Sequence, residues 1–273
     1  MTIKASPQEM QTVSAYIEAV SGIVLAPSKA YLVETRLGKL LKEHAFDGYD
    51  ALIRAAKADH SGKLRGAIID AISTQETSFF RDGKPFDFLA EQLIPDKLKN
   101  NHRMDIWCAA ASTGQEIYSL AMIFKEVLGE QLGRYDVRIL GTDISEAALV
   151  YCSQGRYSRL ELSRGINAER LRRHFVKEEK VWKIADELRA LATFKAFNLM
   201  QPLSSLGPFD LVMCRNVAIY FSPEDRKRLF ERIADRLKPD GVLMIGATES
   251  LAGVTQKLKR NSGDNGSVYY TRA

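Results

Sequence analysis

The sequence predicts an α/β domain on a doubly wound, mostly parallel sheet, with a small antiparallel insert and an all-α domain ahead of it. Three observations carry this expectation. From residue 84 onward, apolar runs of strand length alternate with amphipathic helical stretches, a pattern that lays helices on both faces of a parallel sheet. Before residue 84, apolar residues recur at three- and four-residue spacing, which is the helical period. Near 175–192 the alternation breaks: Val176, Trp182 and Ile184 flank a charged turn and read as a hairpin. The expected division is a helical domain over 1–83 and a larger domain over 84–273 that carries the insert. A chain of 273 residues accommodates both, at about 150 residues per domain.

Met10, Val13, Ile17 and Val20 define a first helix that ends at Ser21 and Gly22. A second is expected from a cap at Ser28, burying Val33, Leu37, Leu40 and Leu41. At 100° per residue its opposite side carries Lys39 and Lys42, with Arg36 at the margin, so the outer face is basic. Shorter helices over 50–58 and 63–72 complete a small bundle. In the larger domain, strands are expected at 104–108, 137–141, 193–197, 209–213, 242–246 and 268–271. Helices fall at 115–128 and 145–153, the latter capped by Ser145. Ser222, Pro223, Glu224 and Asp225 open a long helix with a cap, a proline at the first position and acids at the positive end. Asp240 and Gly241 are expected to stop it, and the final strand to form an antiparallel edge.

Composition narrows the function. The chain is 45% hydrophobic and 27% charged, ordinary for a globular protein, and no run approaches the roughly 18 apolar residues that a spanning helix needs. No secretory signal stands at the start, so a cytoplasmic protein is expected. Cys108, Cys152 and Cys214 lack metal-site or disulfide spacing and read as reduced, small apolar residues. His44, His60, His102 and His174 sit in polar contexts outside any hydrolase or zinc motif and are expected at the surface. The net charge of +5 points to an acidic partner. Residues 154–195 hold eleven Lys/Arg against six Asp/Glu, enough to account for the excess.

Ligands of a doubly wound sheet bind beyond the carboxyl ends of its strands. There the first strand runs into ASTG at 111–114, small residues that let backbone approach a ligand and lead into a helix N-terminus. Asp143 ends the next strand, where an acid typically accepts from the ribose hydroxyls of an adenosine cofactor. Without the Gly-x-Gly-x-x-Gly pattern, a pyrophosphate is disfavoured, and S-adenosylmethionine fits better than a nicotinamide dinucleotide.

Taken together, TQETSFFRD at 74–82, IWCAAASTGQEIYS at 106–119, GTDI at 141–144, FNL at 197–199, CRNVAIYF at 214–221 and GATESLAG at 246–253 resemble the chemotaxis receptor glutamate methyltransferases, the CheR family. The resemblance covers nearly the whole chain and implies a Rossmann-like, S-adenosylmethionine-dependent methyltransferase domain. It implies that Gln75, Thr77 and Arg81 close over the cofactor, with Gln75 departing from the family's usual Asn. Glu116 would meet the donor's amino group, Asp143 the ribose, and Asn198 and Leu199 the adenine. Arg215 and Asn216 would end the fourth strand at the cofactor, and Arg81 and Tyr220 would serve catalysis at the sulfonium and the incoming carboxylate. Ala218 replaces a bulkier Leu or Met common in the family.

The implied reaction makes glutamate methyl esters and S-adenosylhomocysteine. A glutamate carboxyl, with a pKa near 4.3, is about 99% ionised at neutral pH, so the nucleophile needs no base. The implied partners are the acidic methylation helices of chemotaxis receptors, and the basic face of Arg36, Lys39 and Lys42 has the complementary sign. In some members the insert grips a receptor-tail pentapeptide through a glycine-containing loop; 175–182 lacks glycine here, so no tight tethering is expected. A second reading is a catalytically idle cofactor-binding adaptor of the same fold, against which the Arg81 and Tyr220 pair speaks. Nucleic acid is disfavoured as a partner because CRNV at 214–217 stands where amino-methylating enzymes carry a proline-rich motif, and no aromatic-interleaved basic patch is present. Direct membrane insertion is not expected, and monomer is the default state.

Overall fold

The computed structural model describes residues 3–273. In the helical region α1 (Pro7–Ser21), α2 (Ala30–Glu43), α3 (Tyr49–Ala58) and α4 (Lys63–Ile72) pack around Val13, Ile17, Val33, Leu37, Leu41, Leu52, Ile53 and Ile68. Ser6 caps α1 in a reciprocal box with Glu9, and Gly22, at φ +78°, ends it. Helix α2 starts one residue later than a Ser28 cap would place it: Pro27–Lys29 forms a 3₁₀ turn, and Lys29 precedes the helix without a side-chain cap.

Three short helical pieces lead into the sheet: α5 (Lys84–Phe88), a π-helical turn (Leu89–Leu93) and α6 (Ile94–Leu98). The core elements then follow as β1 (Arg103–Ala109), α7 (Gln115–Leu128), β2 (Asp136–Asp143) and α8 (Glu146–Gln154). Next come β3 (Arg156–Tyr157), α9 (Arg159–Ser163), α10 (Ala168–His174), β4 (Phe175–Glu178), β5 (Val181–Ile184) and α11 (Asp186–Arg189). The chain closes with β6 (Ala192–Ala196), β7 (Phe209–Cys214), α12 (Pro223–Ala234), β8 (Leu237–Ile245), β9 (Leu258–Ser262) and β10 (Val268–Arg272).

Seven strands lie in the order β6-β2-β1-β7-β8-β10-β9. The first five are parallel; β10 and β9 are antiparallel. The order reverses at β1, so the crevice beyond the carboxyl ends of β1, β2 and β7 is the place where a ligand site belongs. Strands β3, β5 and β4 form the small antiparallel sheet, with the expected hairpin as its β4–β5 half. Two apolar layers cover the faces of the large sheet, one centred on Ile106, Ile117 and Phe124, the other on Trp107, Val212, Phe230 and Leu243.

Two sequence expectations are corrected. Helix α12 ends at Ala234, before Asp240 and Gly241, which lie inside β8. Pro239 cannot continue a helix, and Lys238 reaches Asp210 at 2.7 Å and Asp105 at 3.0 Å, which pins the start of the strand beside β1 and β7. The register shifts between Phe209↔Leu237 and Leu211↔Val242, so β8 carries three extra residues there, and a Cβ at Gly241 would meet Phe209 O at 2.8 Å, which is why glycine stands in this irregularity. His174 is buried, not at the surface: its Nε2 lies 3.2 Å from Glu126 Oε1.

Candidate functional site

A cleft of about 950 Å³, open to solvent, lies at the reversal point of the sheet and is walled by both domains. Ser21 and Ile23 line it from the helical side, and the 73–81 segment crosses it. Gln75, Thr77, Arg81, Glu116, Asp143, Asn198, Leu199, Arg215, Asn216 and Tyr220, singled out across 146 positions of sequence, all line this one cleft.

Strand β1 delivers the chain into residues 110–114, where Ala110 and Ser112 take φ of +63° and +51° and Gly114 +94°. Five of the seven non-glycine residues with positive φ among the described residues line or flank the cleft: Phe80, Asp82, Ala110, Ser112 and Asn216. Strain of this kind collects where a binding surface has to be shaped. Asp143, at the end of β2, is buried and accepts Ser112 N–H at 2.8 Å through Oδ2 and Ser145 N–H at 2.9 Å through Oδ1. Burial raises its pKa, and these two backbone donors counter only part of the rise.

Arg215, at the end of β7, has a side chain only 2% exposed. Its Nη1 reaches Glu116 Oε2 at 3.0 Å, while Nη2 donates at 2.7 Å to both Asp82 Oδ2 and the carbonyl of Arg81. The guanidinium thus joins a strand end, the first turn of α7 and the turn that carries Arg81. A buried arginine held by two carboxylates is costly to break because the guanidinium would be left desolvated without its partners. Arg81 itself forms no ion pair among the described residues; its Nη1 donates to Glu76 O at 3.1 Å. Asn198 lines the cleft, yet its side chain is also a link between domains, with Nδ2 donating to Val20 O at 2.9 Å and Oδ1 accepting Met200 N–H at 2.9 Å.

Sequence reasoning missed several contributors. Glu249 Oε2 accepts the N–H of Asn216 at 2.7 Å and of Gly246 at 2.8 Å, holding Asn216 at φ +57°. Arg232, on α12, donates to the carbonyls of Leu199, Met200 and Gln201 at 3.1, 3.0 and 2.8 Å and so fixes the turn behind Leu199. Glu249 had a signal, an acid three residues beyond Gly246 at the end of an apolar strand; Arg232 had none, since a surface-helix arginine looks like any other. The three cysteines are all buried and burial pushes each thiol up, so none supplies a thiolate. On the helical domain, Lys39 and Lys42 are exposed, whereas Arg36 Nη1 donates to Ile72 O at 2.7 Å and ties α2 to the segment entering the cleft.

The residues present fit an adenosyl amino acid. Gln75 Oε1, Ser112 Oγ and Asn216 Oδ1 are buried, line the cleft and have no hydrogen-bond partner. Buried polar atoms of this kind are rare unless something else satisfies them. Asp143 and Glu116 add two carboxylates to the cleft lining, a kind of acceptor that ribose hydroxyls and an ammonium group can use.

A family model described as "CheR methyltransferase, SAM binding domain" matches residues 75–266, and one described as "CheR methyltransferase, all-alpha domain" matches residues 8–73. Fold, cleft and match define an S-adenosylmethionine-dependent methyltransferase. The chain is 40% identical over 270 residues to a chemotaxis protein methyltransferase of Vibrio anguillarum, covering 98% of each chain. It is 40% identical over 270 residues to chemotaxis protein methyltransferase 1 of Vibrio cholerae, again 98% of each. To chemotaxis protein methyltransferase 1 of Pseudomonas aeruginosa it is 36% identical over 272 residues, covering 98% of this chain and 99% of that one. The chain belongs to the CheR methyltransferase family.

Proposed function

We propose that the protein transfers the methyl group of S-adenosylmethionine to glutamate carboxylates of chemotaxis receptors, leaving a methyl ester and S-adenosylhomocysteine. One observation supports a carboxylate acceptor above all: a cationic side chain, Arg81, and a phenol, Tyr220, share the cleft, and no histidine lines it. An amine or alcohol acceptor would need a group to take its proton; an ionised carboxylate does not. When bound, S-adenosylmethionine supplies an electrophilic methyl carbon on a sulfonium. A glutamate oxygen forms the new O–C bond as the C–S bond breaks, with no proton transferred, so the chain's task is alignment of two reactants. Arg81 would orient the carboxylate by charge and Tyr220 by its hydroxyl, while Arg215, Asp82 and Glu116 hold Arg81 in place.

Lys39 and Lys42 would meet the acidic receptor helices, and reversing both to Glu should slow methylation of receptor at low salt; an unchanged rate would exclude that face. The insert turn, Glu179 and Lys180 between β4 and β5, has no glycine, in keeping with weak or absent binding of a receptor-tail peptide. Micromolar binding of such a peptide by calorimetry would contradict this. Among the described residues no helix is long and apolar enough to cross a membrane.

The function is tested by transfer of radiolabelled methyl to receptor-containing membranes, followed by base treatment. Label that leaves as methanol, and is lost with Arg81→Ala, is the expected result. Base-stable label would mean an acceptor other than a carboxylate, and cofactor binding without transfer would favour an idle adaptor.

A further inference from the structure

A charged cluster behind the cleft has no part in the reaction as described. Glu126, in the last turn of α7, accepts Arg170 Nε and Nη2 at 2.9 Å through its two oxygens, and its Oε1 lies 3.2 Å from Nε2 of the buried His174. Burial alone would raise the Glu126 carboxyl, but His174 and Arg170 outweigh it and hold it at about 2. The pair fixes the plane of the guanidinium, and its carbon sits 3.7 Å from the centroid of the Phe80 ring. A planar guanidinium held in this way stacks on an aromatic face as an ammonium cannot.

Phe80 is the residue that needs holding. Its φ of +49° is unusual for a bulky side chain and persists only where the surroundings over-determine it. Ser119 Oγ accepts its N–H at 2.9 Å, the Phe86 ring meets it at 5.5 Å, and Arg170 covers it. The residue before it is held as well. Gly165, at φ +115° in the loop between α9 and α10, lies so close to the Phe79 carbonyl that no Cβ would fit there. One loop and one helix therefore grip successive residues of a turn whose next residue is Arg81.

We propose that Arg170, oriented by Glu126 and His174, is a positioning residue that sets Arg81 in the cleft by clamping Phe80. Whatever the ion pair adds to folding is read in unfolding experiments, so its effect on Arg81 is tested in the cleft, by ligand binding. This rests on the reading of Arg81 as a residue that meets the cofactor, and cofactor-product binding tests both without any receptor.

Calorimetric titration of the full chain with S-adenosylhomocysteine would compare wild type, Arg81→Ala, Arg170→Ala and the double variant. Arg81→Ala is expected to weaken binding about tenfold or more and Arg170→Ala by about fivefold, with the double no weaker than Arg81→Ala alone. Arg170→Lys should not restore affinity, since it keeps the charge but loses the plane. If Arg170→Ala folds poorly, Phe80→Leu removes the other half of the stack and carries the same expectation. Wild-type affinity in Arg170→Ala, or an undiminished further loss when it is added to Arg81→Ala, would overturn the clamp. Wild-type affinity in Arg81→Ala would sink the reading of Arg81 first, and the clamp with it.

Discussion

Asp143 accepts two backbone N–H groups and still has its pKa raised by burial, so its charge is not fully compensated by the protein. Ligand hydroxyls donating to it would favour the ionised form. Affinity for S-adenosylhomocysteine should therefore fall as pH drops from neutral toward the raised carboxyl value, and Asp143→Asn should be weak throughout, by about 10- to 100-fold for the loss of charge-assisted bonds. Titration calorimetry at neutral and mildly acidic pH checks this; a pH-independent wild type would remove Asp143 from the ribose site. Glu249 works on backbone in the same way. Glu249→Ala leaves two part-buried N–H groups unpaired and should cost about 1–3 kcal/mol in denaturant unfolding while loosening Asn216. These two acids differ in how readable they were. Asp143 stands at a place that fold logic marks, the end of the second strand, whereas Glu249 acts on Asn216 across 33 positions of chain, a pairing that local pattern does not reveal. Arg215 was legible as a cleft residue, but its use as the bracket between Asp82, Glu116 and Arg81 depends on three elements meeting.

Elements were legible where period and caps agreed. Helix α7 runs over the 14 residues that its apolar spacing outlines, and α1 ends at Gly22 with its αL cap, whereas α8 runs one residue past the expected 153, to a cap at Gly155. The segment from α5 to α6 went unread because its helical run passes through a π-helical turn at 89–93, ahead of Pro95, so no single period holds along it. Helices α9 and α10, of five and seven residues, were hidden within the basic stretch for the same reason, although Ser158 and Asn167 cap them. Strand β9 was missed because its sequence, with Lys259 and Arg260 exposed, has the charged look of an edge. The entry to α7 gives a sharper test of how elements shape the cleft. Gly114 combines φ +94° with a position where a Cβ would overlap Cys152 Sγ and lie 2.9 Å from Tyr157 Oη. Gly114→Ala should lower stability by about 2 kcal/mol or more and move the N-terminus of α7, with Glu116, away from Arg215. Near-wild-type unfolding together with normal cofactor binding would show that the loop yields without cost.

Across the whole molecule, charge stabilises the fold and the cleft joins its parts. Glu126 at about 2 lies below the ordinary carboxyl value of 4.5, so its stabilising contribution is complete above about pH 4.5 and is lost as pH falls toward 2. With its partial exposure this amounts to something on the order of 2 kcal/mol, and Glu126→Gln should flatten the acid limb of the stability curve by that much. Apart from the segment 74–83, helices α1–α4 and their loops meet the sheet domain through few polar links: Asn198 to Val20 O, and Val24 N–H to Tyr220 O at 2.8 Å, beside Gly22 packed on Met200. Two of those residues, Asn198 and Tyr220, line the cleft, as do Ser21 and Ile23 from the other side. A ligand there touches both domains, so its binding energy should also hold them together. Amide hydrogen exchange at Ile23 and Val24 should slow when S-adenosylhomocysteine is added. In Asn198→Asp, where a carboxylate replaces the donor facing Val20 O, exchange at these amides should be faster without ligand and ligand binding weaker. Both changes are required, because a cleft made by the sheet domain alone would lose affinity in that variant without any response at the end of α1.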